Sequence, residues 1–382
     1  MRKGWSETTV GEIAELVSRG RAPSYCDDDG VAVINQKCIR NGRIYFEFAR
    51  LTDSKKKSIP DWAFLKVGDT LINSTGVGTL GRASFVSRLD SATTFDSHVT
   101  LVRPSPNHCY PPFIGLFLNF REREIEMFGG GSTGQTELSR EAVNAFPITV
   151  PPLVEQKRIV DLVSSVDAYI DALQQQADTA RTARNAVLHD LLSAGGDGWT
   201  ETTLGELCEI YQPETISKAQ MDDAAQYIVY GANGPVGRFS RFNHSEPEVV
   251  VTCRGATCGV VNMTPANCWI TGNAMVVKPK DDRSTKGFLF WALQTSVDVQ
   301  ATISGSAQPQ ITRAGLAPSK IQVPPLAEQK QIVEIVSAMD EVIQSTEKAV
   351  IDAKALRSGL LSDLLSGNHE IPASYDSLMG VA

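Results

Sequence analysis

Two stretches of this chain keep apolar residues in step every three to four positions for about forty residues. In 151–194 the frame holds Ile159, Val163, Val166, Ile170, Leu173, Ala177, Ala180, Arg184, Val187 and Leu191. In 324–367 it holds Ile332, Val336, Met339, Ile343, Thr346, Val350, Ala353, Arg357, Leu360 and Leu364. A mean spacing of about 3.5 residues predicts long helices meeting along a coiled-coil seam, and the two seams are expected to pair with each other. Both stretches open on a proline pair, tolerated in a helix's first turn but not inside it. They close at Gly195-Gly196 and Gly367-Asn368, residues suited to a C-terminal cap. At about 1.5 Å per residue each rod is roughly 60 Å long. Arg184 and Arg357 share one seam position; an arginine there either fixes register or, as we expect, packs its stem and sends its head to water.

Elsewhere the pattern shortens. Val31–Ile34, Arg43–Phe48, Thr70–Asn73 and Val249–Thr252 are brief β-rich runs bounded by Gly, Asn or Asp, and helical stretches are expected near 112–127 and 286–300. This is an α+β pattern in two blocks. The blocks are tandem copies. Gly4-Trp5-Ser6-Glu7-Thr8-Thr9-Val10-Gly11-Glu12 returns as Gly198-Trp199-Thr200-Glu201-Thr202-Thr203-Leu204-Gly205-Glu206, and the two helical stretches agree at 19 of 44 positions. The expected division is 1–150, first block; 151–197, first helix; 198–323, second block; 324–367, second helix; 368–382, tail.

Charge changes the picture by its distribution. The net −8 of the 382 residues argues against nucleic acid. Yet 1–150 carries +1 and 198–323 carries −1, while the helical stretches and tail hold −3 and −5. The near-neutral blocks are therefore free to meet DNA, and the acidic rods suit a partner. No apolar run approaches the roughly 18 residues of a membrane span. The first residues lack a signal-peptide core, and seven irregularly spaced cysteines fit a reducing compartment, so a cytoplasmic location is expected.

Candidate chemistry mostly fails on inspection. Gly76-Val77-Gly78-Thr79-Leu80-Gly81 matches a dinucleotide fingerprint, but a strand-like run follows it in place of the required helix, so a glycine-rich turn is expected. Tyr110-Pro111-Pro112-Phe113 departs from the Asp/Asn-Pro-Pro-Tyr/Phe motif of amino methyltransferases at the residue that must accept from the target amine. Cys253, Cys258 and Cys268, with His244, match no closed zinc spacing, and buried thiols are expected instead. Lys55-Lys56-Lys57 has the charge to touch phosphate, but a solvated loop is the reading we expect. Polar loops at 131–140 and 305–313 precede each Pro-Pro pair and are either connectors capping the next helix or, by their Gln, Ser, Thr and Arg side chains, readers of base edges and phosphates.

The tandem W-x-E-T-T-x-G-E openings, the G-S-x-x-Q loops and the Pro-Pro-Leu-x-Glu-Gln-Lys helices ending in Asp-Leu-Leu-Ser resemble the specificity subunit of Type I restriction–modification systems across 4–367. The resemblance implies two α+β target-recognition domains, each reading half of a split double-stranded DNA site, joined by two antiparallel helices. It implies no catalysis by this chain and no bound cofactor. Two methyltransferase subunits would methylate adenine with S-adenosylmethionine, and two restriction subunits would cut using ATP and Mg2+. From residue type and loop placement the expected DNA contacts are Asn35, Lys37, Arg82, Ser132 and Gln135 in the first block. In the second they are Asn233, Arg238, Arg254, Ser306 and Gln308. A stand-alone bipartite DNA-binding or scaffold protein is the alternative.

Overall fold

Apolar runs that lack polar alternation must be covered on both faces, and here they become central strands. The computed structural model describes residues 4–128, 137–305 and 308–378. It forms two units, one of 1–172 with 351–382 and one of 173–350. In the first, β1 (Ser6–Thr9) passes through α1 (Val10–Ile13) to β2 (Ala14–Arg19), β3 (Tyr25–Cys26), β4 (Val31–Ile34), β5 (Ile39–Arg40), β6 (Arg43–Ile44) and β7 (Arg50–Thr52). Next come β8 (Thr70–Asn73), β9 (Ala83–Phe85), β10 (Thr93–Phe95) and β11 (Val99–Pro104). The block closes with α2 (Pro111–Phe120), α3 (Glu122–Phe128), α4 (Arg140–Ala145) and β12 (Pro147–Val150).

One antiparallel sheet has the order β2-β11-β8-β9; the other, β10-β4-β7-β3, has β10 parallel to β4. Successive side chains of a strand point to opposite faces, so Leu71, Val99 and Leu101 meet Ile34 and Phe95 between the sheets. Their neighbours Ile72 and Val102 pack with Phe113, Phe117 and Leu118 of α2. The run at 43–48 departs from expectation. Asn41 and Gly42, at φ 50° and 69°, turn β5 tightly into β6, and Phe46–Phe48 is then a 3-10 turn instead of strand. Asn35 Nδ2 holds that turn by donating to the Phe48 carbonyl at 2.9 Å.

After α5 (Leu153–Ser193), the second block repeats this plan with β13 (Thr200–Thr203), α6 (Leu204–Leu207), β14 (Cys208–Tyr211), β15 (Tyr227–Tyr230) and β16 (Pro235–Phe239). It continues through β17 (Val249–Thr252), β18 (Val261–Met263), β19 (Trp269–Ile270), β20 (Ala274–Pro279), α7 (Lys286–Thr295), α8 (Arg313–Leu316) and β21 (Lys320–Val323). The sheets are β14-β20-β17-β18, antiparallel, and β16-β15-β19, with β15 parallel to β19. Val249, Val251, Met275 and Val277 pack with Phe288 and Leu289 of α7, while Val250 and Val276 pack with Tyr230 and Ile270. The helix expected over 286–300 stops at Thr295, and Gln300–Thr302 is a separate 3-10 turn whose Ala301 amide donates to Asp298 Oδ1 at 2.9 Å.

The two repeated motifs clasp each other. β1 pairs antiparallel with β12 and β13 with β21, which lays each block's opening against the strand entering its Pro-Pro pair. Trp5 Nε1 donates to Glu155 at 3.1 Å, and Trp199 Nε1 to Glu328 at 3.0 Å. The Thr-Thr-x-Gly-Glu run caps the short helix that follows: Thr8 and Thr9 hold the Glu12 carboxyl below its usual range, and Thr202 and Thr203 do the same for Glu206. The glutamine of Glu-Gln-Lys is fully buried in both copies. Gln156 Oε1 accepts from the Tyr110 amide at 2.7 Å and the Cys109 thiol at 3.2 Å; its Nε2 donates to the Pro151 carbonyl at 2.8 Å. Burial pushes that thiol up to about 12, so it keeps the proton it donates. Gln329 accepts from the Thr285 amide at 2.9 Å and donates to the Arg283 and Pro324 carbonyls at 2.7 and 2.9 Å.

Gln329→Ala would strand those three backbone groups. It is expected to cost roughly 2–4 kcal/mol, read as a lowered urea midpoint of the second unit. The exposed neighbour variant Gln331→Ala should leave the midpoint in place, and equal effects would remove the buried network as the cause.

α9 (Leu326–Leu365) and a short α10 (Tyr375–Leu378) complete the chain. Both long helices begin just after their prolines, and Gly195 and Gly367 follow their ends at φ 59° and 74°. Every seam position named above is buried or half-buried. In the first unit Ile159, Val160 and Val163 of early α5 share a core with Leu361, Leu364 and Leu365 of late α9, so the helices run oppositely there. In the second, Leu188 and Leu192 share one with Ile332 and Val336. The seam arginines do not send their heads to water. Arg357 grips Asp167 through Nε and Nη2, the latter at 2.9 Å, and Arg184 Nε lies 3.6 Å from Asp340. Asp167 and Asp340 are themselves repeat equivalents, so the partnership is built twice from the repeated sequence. No described helix is long and apolar enough to cross a membrane.

Candidate nucleic-acid interface

In each block the β8–β9 or β17–β18 connection is a glycine turn. Gly76, Gly78 and Gly81 have φ of 105°, 71° and 84°, and Gly255 and Gly259 of 89° and 90°, left-handed values that favour glycine. β9 follows directly, so the fingerprint has no helix N-terminus to offer a phosphate. Three more loops are drawn to this turn by equivalent bonds. The Ser74 amide donates to His98 O at 2.8 Å, as Cys253 does to Asn273 O at 3.0 Å. Leu138 N donates to Ser74 O at 2.9 Å, as Ile311 N does to Cys253 O at 3.0 Å. Asn73 Nδ2 donates to Gln36 O at 3.0 Å, and the Thr252 hydroxyl to Ala232 O. The loop after β4 or β15, the glycine turn, the loop before β11 or β20, and the segment before α4 or α8 are therefore stitched together in both blocks.

In the first block Thr75 Oγ1 meets His98 Nδ1 at 2.8 Å, and the Thr75 backbone pairs antiparallel with that of Glu137, whose carboxylate pairs with Arg19. Arg19 Nε further donates to Ser97 O at 2.6 Å. Asp96 lies beneath, its carboxyl raised by burial and accepting from the His98 amide at 2.9 Å. Lys37 is exposed on this cluster. Arg40 is held beside it, Nε donating to Lys37 O at 2.7 Å with the guanidinium 4.4 Å over Phe48. In the second block Asn233, Arg254 and Gln308 are exposed on the corresponding loops. Asn233 Oδ1 accepts from Asn262 at 2.8 Å, and the Arg254 backbone bridges Gln310.

The other expected contacts fall differently. Asn35 is 8% exposed, and its Oδ1 accepts from the Lys37 amide at 2.8 Å, so it shapes the loop that presents Lys37. Arg82 closes the glycine turn by donating to Gly78 O at 2.7 Å and pairs with Glu122 at 3.5 Å. Arg238 sits on β16, the strand that follows the loop after β15, and donates to Gln226 O at 2.8 Å. Ser132, Gln135 and Ser306 lie outside the described residues. Thr75, His98, Asn273 and Gln310 were not expected. Aligning the two glycine turns would have found Thr75, which stands where Arg254 does.

The remaining chemistry is structural. Tyr110 precedes α2 and gives its amide to Gln156, with both prolines in the first turn. Cys253 and Cys258 belong to the core on the α7 side of the sheet and Cys268 to the core on the other, so the three thiols do not converge. Lys55 reaches Asp29 at 3.0 Å on the surface.

The model of the Type I restriction modification DNA specificity domain matches residues 2–180 and again 196–353. A Methanocaldococcus jannaschii protein described as a type I restriction enzyme MjaX specificity subunit is 20% identical over 95% of this chain and 93% of its own. The EcoAI specificity subunit of Escherichia coli is 26% identical over 59% of this chain and 39% of its own. Among solved structures, the S subunit of a Type I system from M. genitalium superposes with TM-score 0.63 at 15% identity, covering 96% of this chain and 97% of the other. A chain from work on assembly and conformational transition of the type I R-M system gives 0.62 at 17%, covering 95% and 98%. At such identities these two likenesses speak for the fold.

Proposed function

The chain belongs to the family of Type I restriction–modification DNA specificity subunits, with two tandem specificity domains, and from that premise we propose that each block reads one half of a bipartite double-stranded DNA site through its four stitched loops. The observation that carries this is the recurrence of the same loop-to-loop bonds in two blocks whose polar side chains differ: half-buried Thr75 against exposed Arg254, and exposed Lys37 against exposed Asn233. A constant frame presenting variable polar groups suits readout of two different base sequences. The long helices form an antiparallel coiled coil that sets the gap between half-sites and docks two methyltransferase subunits. Together these make an adenine-N6 methyltransferase in the cytoplasm, and two restriction subunits add ATP-dependent cleavage. S-adenosylmethionine, ATP and Mg2+ serve those subunits; this chain holds none of them and is not catalytic.

Two expected outcomes follow, the first for the assembled methyltransferase complex and the second for this chain by itself. Arg254→Ala and Gln308→Ala should each weaken binding to the cognate site. A lost base contact costs about 1–3 kcal/mol, whereas a lost phosphate contact flattens the salt dependence. Wild-type affinity and salt slope in both variants would remove these loops from the interface. The purified chain alone should transfer no methyl group from labelled S-adenosylmethionine to DNA, and measurable transfer free of partner subunits would contradict a non-catalytic role.

A further inference from the structure

The two units differ where α2 and α7 meet the seam. Their starts align because Tyr110 and Thr285 give their amides to equivalent glutamines. Gly115 then corresponds to Phe290 and Leu116 to Trp291. In the second unit Trp291 is 5% exposed, with Arg184 lying 5.0 Å from the centre of its indole. In the first unit the counterpart arginine, Arg357, instead borders a cavity of about 350 Å³ walled by Gly115, Leu116, Asn119, Lys354 and the turn from β5 to β6. Gly115 approaches Phe85 so closely that an added Cβ would lie 2.6 Å from its side chain, so this wall is fixed by packing.

We propose that this cavity binds a small planar aromatic anion. The molecule's own second unit supplies the template for the ring: a flat aromatic belongs over the seam arginine, a stacking that guanidinium and indole both favour. The charge follows from the lining. Arg357 is matched by Asp167 and Arg43 by Asp171, while Lys354 forms no ion pair among the described residues, which leaves the wall one positive charge in excess. The volume lies within the range of small-molecule sites. A bound ring would touch α2, the β5–β6 turn and both helices at once, bracing the first block against them. This site does not depend on the blocks reading DNA.

The test is calorimetric titration of the full chain with indole-3-acetate, with cyclohexylacetate as an anion lacking the aromatic ring and indole as a ring lacking the charge. Wild type should bind indole-3-acetate roughly tenfold more tightly than either comparator. Lys354→Met, an exposed change that leaves the core alone, should weaken indole-3-acetate by roughly tenfold. Leu116→Trp, which puts into the first unit the side chain the second already has, should abolish binding with an unchanged or raised melting temperature. No saturable binding by wild type, equal affinity for cyclohexylacetate, or undiminished binding by Lys354→Met would each overturn the proposal.

Discussion

Removing residues 174–180 together with 347–353 is expected to shorten the preferred spacing between half-sites or to abolish binding. One heptad is two turns of seam, so each helix loses about 10 Å. The partners Asp167–Arg357 and Arg184–Asp340 keep their places in the frame. DNA rises about 3.4 Å per base pair, so the gap should contract by at most about three pairs. Selection of bound sites from a library with varied gaps, by the complex with its methyltransferase subunits, reads the outcome. Deleting 174–180 alone shifts Arg184 out of step with Asp340 and leaves a half-buried guanidinium without its carboxylate, so that variant should lose folded protein. An unchanged gap at undiminished affinity in the double deletion would show that the helices do not measure the spacing.

The long helices were legible because their signal is periodic and local. Proline pairs, heptads and terminal glycines each act within a few residues, and Leu153–Ser193 and Leu326–Leu365 begin and end where those residues place them. Doubly covered strands were legible for a related reason: Val249–Thr252 carries no polar alternation because it has a core on each side. What escaped depends on contacts remote in sequence. Arg184 and Arg357 have the sequence setting of snorkelling arginines, and it is Asp340 and Asp167, across the seam and far along the chain, that hold their heads. The tryptophan and glutamine of the repeated motifs were visible as repeats, but their partners lie as far as 150 residues away, as Trp5 and Glu155 do. The run at 43–48 has strand-like residues, and a left-handed Asn-Gly turn overrides them.

The candidate contacts show the same division. Lys37, Asn233, Arg254 and Gln308 were chosen by residue type and loop position, and the fold places them on the stitched loops. Asn35 and Arg238 were chosen on the same grounds, yet their polar atoms are engaged by nearby backbone. Residue type alone cannot separate an exposed asparagine such as Asn233 from one such as Asn35 that shapes a loop. Thr75 and His98 are ordinary residues in sequence, and only the meeting of the loops brings them together.

Replacing residues 1–150 with the corresponding block of another family member is the most direct test of modular reading. Each block has its own pair of sheets and cores, and its four stitched loops are bonded to one another within the block. Exchange at residue 150 cuts between β12 and the Pro-Pro pair, which leaves Gln156 to find the same backbone amide in the incoming block. The exchange is therefore expected to produce a folded chain whose specificity changes in one half only. Sites bound by the parent and exchanged complexes would be selected from one random library and sequenced. The account predicts one half-site rewritten and the other retained base for base; alteration of both halves, or of neither, would contradict it.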